Sequence, residues 1–213
     1  MAYDLQEQEQ LDTFKAWWEK YGNFILTSAT VVLLVFAAYN GWRWYERSQA
    51  QAAAGIYEQL VKAVEAKDQA KAKELAGNLI EKHARTVYAG MAALQAAKLN
   101  YEAGDANAAK AQLRWVVDNG HAAYAATARV RLAGVLLDDK SYDEASKLLA
   151  TDVPESHRVM FADRRGDVLV AQGKLDDARA AYKQALDTAG PDHPMRGYIQ
   201  FKLDALPPVP AAA

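Results

Sequence analysis

The sequence predicts an all-α protein, with an N-terminal single transmembrane helix followed by an α-solenoid of paired helices. Three observations carry that reading. No residue between Lys20 and Arg43 is charged. A turn-then-helix motif recurs downstream at nearly even intervals. The stretches between those turns are rich in alanine, the strongest helix former.

Composition sets the outer bounds. A chain of 213 residues, 51% apolar and 24% charged, suits one domain or a domain plus an appendage and is not a disordered composition. A formal net charge of −2 and a pI of about 6.1 argue against an electrostatic footprint for nucleic acid or anionic lipid. There is no cysteine, so disulfides, thiol chemistry and thiolate-bound metals are excluded.

The first element is the apolar segment. At a helical rise of about 1.5 Å per residue, the uncharged stretch reaches about 33 Å, enough for a hydrocarbon core of roughly 30 Å. Residues 31–36 are purely apolar, and Thr27, Ser28 and Thr30 can return their hydroxyls to the preceding turn. Trp17, Trp18 and Tyr21 precede the segment, and Tyr39, Trp42, Trp44 and Tyr45 follow it. Rings at both ends suit the headgroup level, where an apolar body is buried and a polar edge stays wet. A buried soluble helix would need an equally apolar partner layer, and nothing downstream supplies one. A cleaved signal could use Val35-Phe36-Ala37, but its leader would be long and acidic and the second aromatic belt would lie beyond the cut. The segment reads as an uncleaved anchor. Its orientation stays open, because Lys15 and Lys20 on one side balance Arg43 and Arg47 on the other. Lipid is thus the first expected partner.

The next elements are repeats. The stretches beginning at Gly104, Lys140 and Gly173 share a turn followed by a helix start. A weaker copy begins at Lys67; it lacks a glycine turn, and its first helix can merge with one continuing from the membrane. Small residues recur where paired helices approach: Ala97, Ala133 and Gly166, then Ala109, Ala145 and Ala178. A third set reads Val116, Asp152 and Ala185, with Asp152 out of pattern. A period of about 34 residues with this grammar is the tetratricopeptide signature. Residues 194–203 form the expected capping helix, which solenoids need to cover their last apolar face. The proline- and alanine-rich tail, residues 207–213, is expected to resist ordering, with a short polyproline ligand as its alternative use.

Catalytic chemistry has little support. His83, His121, His157 and His193 recur at close to the repeat period, one near each boundary between repeats. Stacking would string them along an edge instead of converging them on a metal, so helix-end and turn positions are expected. No nucleophile elbow or phosphate-cradling glycine loop occurs. Paired acids such as Asp138-Asp139 and Asp176-Asp177 fall at turns and helix starts, where the helix dipole favours them. No enzyme activity, cofactor or metal is expected.

A binding surface remains. The concave face of such a solenoid is lined by the first helix of each pair. Repeat register aims Met91, Leu94, Lys98 and Tyr101 at it, then Val130 and Leu137, then Asp163 and Asp167. Tyr101 is the preferred anchor. The mixed apolar and two-signed lining suggests peptide or protein partners.

The whole layout resembles the ancillary SecYEG translocon subunit family of Gram-negative bacteria. The likeness rests on the acidic leader, which is net −3 over residues 1–20, and on Trp17-Trp18-Glu19-Lys20-Tyr21-Gly22. It extends to the single span, to Ala52-Ala53-Ala54-Gly55-Ile56-Tyr57, and to the repeats. The resemblance implies an inner-membrane protein with its amino terminus in the cytoplasm and its repeats in the periplasm. It implies as partners the SecYEG channel, a membrane-anchored periplasmic chaperone of the prolyl-isomerase type, and exported client proteins. It also implies a tie, in some members, to regulation of an envelope stress response. It supplies no catalytic residues. The expected organisation is a cytoplasmic leader over residues 1–21, a transmembrane helix over 22–42, a periplasmic repeat domain with its cap over 43–206, and the tail. The alternative function is an envelope scaffold for cell division or cell-wall machinery.

Overall fold

The computed structural model describes residues 2–119 and 122–208, all helices and short turns. By internal contacts the chain divides into two units, residues 1–51 and 52–213.

The first unit is a single stretch of helix, part of α1 (Ala2–Glu65). Only 6% of its most apolar window is buried, and large side chains from Phe24 to Phe36 stand exposed. A helix this long, apolar and unburied is suited to the hydrocarbon core of a bilayer. Its polar groups fold back onto the helix. The Thr27 and Thr30 hydroxyls donate to the Asn23 and Leu26 carbonyls at 2.7 and 2.8 Å, and the Asn40 amide donates to Phe36 at 2.8 Å. Each bond satisfies one donor without water. Lys20 lies over the Tyr21 ring and Arg43 over Tyr39, one cation–aromatic pair at each edge. The Trp18 indole lies along the helix so close that a Cβ at Gly22 would sit 3.0 Å from it. That contact gives the Trp-Trp-x-x-Tyr-Gly spacing a local reason, since a glycine one turn on lets the indole lie flat.

The second unit comprises the end of α1, then α2 (Gln69–Lys82), α3 (Val87–Glu102), α4 (Ala106–Asp118), α5 (Ala122–Asp138), α6 (Tyr142–Leu149), α7 (Glu155–Ala171), α8 (Leu175–Thr188) and α9 (Arg196–Asp204). The four repeat turns are the same structure. Lys67, Gly104, Lys140 and Gly173 all have positive φ, between 58° and 82°. In each turn the next amide bonds the carbonyl five residues back, as Asp105 does to Asn100 at 2.8 Å and Lys174 to Leu169 at 2.9 Å. This is the Schellman helix end, which favours glycine. The two lysines keep the backbone without glycine's freedom, which is why those copies look weaker as sequence.

Packing between paired helices is a matched exchange of size. Ala97 and Leu113 lie buried in one cluster, as do Ala133 and Leu149. In the fourth pair the larger Tyr182 meets Gly166, where a Cβ would fall 2.3 Å from a ring carbon. In the first pair the order is reversed, with Leu60 on the first helix and Ala76 on the second. Constant total volume at one contact keeps the helix spacing regular along the stack.

The out-of-pattern Asp152 also finds its reason. Helix α6 stops at Leu149, so the position held by Val116 and Ala185 in neighbouring pairs falls here in an exposed loop. Arg165 of α7 donates to the Leu149 carbonyl at 3.0 Å and satisfies part of that early end. Helix α9 packs on the last pair: Ile199 is fully buried against it, and Arg196 donates to the Leu186 and Ala189 carbonyls at the end of α8. His83 caps α2, His157 lies in the first turn of α7 and His193 sits in the turn before α9. His121 and residues 209–213 of the tail lie outside the described residues.

Candidate protein-binding groove

First helices of successive pairs touch one another, α3 with α5 and α5 with α7. Along that row a cavity of about 430 Å³ opens. Its apolar floor is Leu94 and Ala97 of α3, Leu113 of α4 and Val135 of α5. Around the floor stand Lys98, Arg131 and Arg164, one cation from each of α3, α5 and α7. The Tyr101 hydroxyl reaches across from α3 and donates to Asp138 Oδ2 of α5 at 2.5 Å. That bond, above all other causes, holds the Tyr101 phenol above its ordinary pKa.

The cations differ in how they are held. Lys98 faces Glu102 at 3.7 Å, both exposed, a geometry of little energetic weight. Arg164 donates to Asp167 at 3.1 Å and lies against α5, its guanidinium carbon 3.5 Å from where a Gly134 Cβ would be. Arg131 is exposed and forms no ion pair among the described residues. Gly134 costs α5 about 1 kcal/mol of helix propensity relative to alanine. It also leaves the space beside Arg164 open.

Of the residues that repeat register aimed at a concave face, Leu94, Lys98 and Tyr101 line this groove. Met91 and Leu137 are half-buried, Val130 is buried, 9% exposed, and none of the three lines it. Asp163 and Asp167 are drawn into a different assembly. Lys202 of α9 donates to both Asp163 oxygens at 2.8 and 3.0 Å and to Asp167 at 2.8 Å, while the Tyr182 hydroxyl donates to Asp167 at 2.8 Å. Burial pushes the Asp163 carboxyl up from its ordinary pKa despite Lys202, and burial followed by the Asp167 bond raises the Tyr182 phenol.

Register alone did not single out Arg131, Gly134, Val135, Asp138 and Arg164. The α5 residues in the groove lie one position beyond the repeat equivalents of Leu94, Ala97, Lys98 and Tyr101. Two parallel helices facing one cleft turn opposite flanks toward it. One residue is about 100° of helix rotation. A spacing of 131, 134, 135 and 138 is a helical stripe and was the available signal. Among the described residues, no group of three or more histidines, aspartates and glutamates could hold a metal.

Comparison with known proteins agrees with this architecture. Residues 15–208 match the family model described as a tetratricopeptide repeat-like domain. The chain is 31% identical to the ancillary SecYEG translocon subunit of Neisseria gonorrhoeae, over 97% of this chain and 100% of that protein. It is 28% identical to the protein of the same name from Haemophilus influenzae, over 87% and 91% of the two chains. With that of Escherichia coli it shares 27% over 83% and 85%. Span and repeats are both inside the matched region, and the chain belongs to the ancillary SecYEG translocon subunit family.

Proposed function

We propose that this chain is a single-pass inner-membrane scaffold that accompanies the SecYEG channel and offers its solenoid as a docking site for polypeptides. The observation that carries this reading is similarity along almost the whole chain to proteins named for that channel. The structure adds a physical means. An apolar helix confines the protein to the bilayer, so even a weak groove meets nearby chains at high effective concentration. The amino terminus is cytoplasmic and the repeats are periplasmic in this reading. The groove then serves a prolyl-isomerase-type chaperone or the newly exported chain itself, and the protein works by binding, not by catalysis.

Two experiments test this. The chain has no cysteine, so Thr13→Cys and Ser48→Cys each place one thiol on a chosen side of the span. A membrane-impermeant maleimide applied to intact inner-membrane spheroplasts should label the second and spare the first; the reverse pattern overturns the topology. Photocrosslinkers at Val32 and Tyr101 in native membranes should capture channel subunits and a chaperone or exported chain respectively. Adducts with division or wall machinery and none with the channel would favour the envelope-scaffold alternative.

A further inference from the structure

We infer that the α3–α5–α7 groove selects extended polypeptide segments in which an acidic side chain sits beside an aliphatic one, with Arg131 as the charge anchor. The inference rests on the polypeptide-binding reading above and goes further, naming what the segment must carry.

The lining holds three cations and one acid. The acid, Asp138, already accepts the Tyr101 hydroxyl. Acids that face Lys98 and Arg164 lie outside the lining, and Asp167 is also held by Lys202 and Tyr182. Arg131 has no such neighbour among the described residues. A free guanidinium at the rim of an apolar floor matches a carboxylate next to an aliphatic group, because planar bidentate pairing is what arginine does best. The floor of Leu94, Ala97, Leu113 and Val135 takes the aliphatic part. A cavity of about 430 Å³ is within the size range of sites that enclose small ligands or a few side chains. A basic segment would meet like charge at Arg131 and Arg164, which disfavours it. The cations come one each from α3, α5 and α7, the first helices of three successive pairs, so an acidic side chain within a segment that follows this row meets them in turn.

The test uses the full chain in nanodiscs of neutral lipid and fluorescence anisotropy with three probes. One is an end-blocked nonapeptide of leucine, glutamate and glycine. Another is its twin with lysine for glutamate. The last has glutamine for glutamate and a free carboxyl end. The glutamate peptide should bind about tenfold or more tighter than the lysine twin and weaken as salt rises. Arg131→Glu should remove that preference, and Gly134→Leu, which fills the cleft beside Arg164, should remove binding of all three. Arg131→Glu should melt like the parent protein, and Gly134→Leu no lower than it. Equal or better binding of the lysine twin, equal binding of the free-carboxyl twin, or an unaltered preference in Arg131→Glu would overturn the inference and leave polypeptide binding standing. Binding of none of the three would overturn it together with direct polypeptide binding. Channel association would be judged separately, by the Val32 crosslink.

Discussion

The middle of the solenoid and its capped end use the same repeat positions for opposite purposes. Leu94, Val130 and Asp163 are equivalent by repeat register, as are Lys98, Gly134 and Asp167. In both places a tyrosine hydroxyl bonds an aspartate on another helix, Tyr101 to Asp138 and Tyr182 to Asp167. At the end, α9 lays Lys202 between the two aspartates and the site is closed. In the middle no such helix arrives, so Lys98 and Arg131 remain exposed and a cleft persists. A polar residue on the inner row is therefore structural or available for binding according to whether a cap reaches it.

The largest expected effect breaks the closed end. Lys202 is 15% exposed and Asp163 6%, so Lys202→Met leaves the buried Asp163 carboxylate without its cation, beside an Asp167 that keeps only the Arg164 cation among the described residues. It should destabilise the terminal helices by about 3 kcal/mol. Hydrogen exchange on the full chain would read this as lost protection in α7–α9 with α3 unchanged. Arg131→Met, its counterpart in the open groove, should stay within about 0.5 kcal/mol of the parent.

Gly166→Ala comes next. Its Cβ would overlap the Tyr182 ring, and the required shift should remove about 1 to 3 kcal/mol from the same helices. At Gly134 the new methyl meets Arg164 at ordinary contact distance, so Gly134→Ala should stabilise α5 by up to about 1 kcal/mol. Opposite signs in thermal unfolding of the two glycine variants would sharpen the contrast; equal signs would break it.

The smallest effect is in pH dependence. Burial raises the folded-state pKa of Asp163, so the folded chain holds that proton to higher pH than the unfolded chain does. The stability this group contributes is complete below its unfolded pKa of about 3.9 and declines as pH rises through the folded value. Asp163→Asn should flatten that segment of the stability–pH curve. A curve identical to the parent's would show that Lys202 fully offsets the burial.

Much of the fold was legible because its causes are local. The helix-ending turn at Gly104 or Gly173 needs only a residue with positive φ and its neighbours, so the motif shows at each repeat. The span is a matter of length without charge, and the cap announces itself by where the repeats stop. The groove was only partly legible. Register reached Leu94, Lys98 and Tyr101 on α3 but not the opposing Arg131 and Asp138, since that requires knowing which flank α5 turns toward α3.

The sequence alone therefore determined an anchor, a helical repeat with its period, and a closing helix, each encoded within a few turns of chain. Tertiary structure decided which equivalent residues are spent and which stay open. Asp163 and Asp167 owe their role to Lys202, which is 39 and 35 residues away. Arg131 owes its availability to the absence of any such partner among the described residues. Contacts at that separation depend on how far each helix is rotated and where the stack ends, and no local pattern records either.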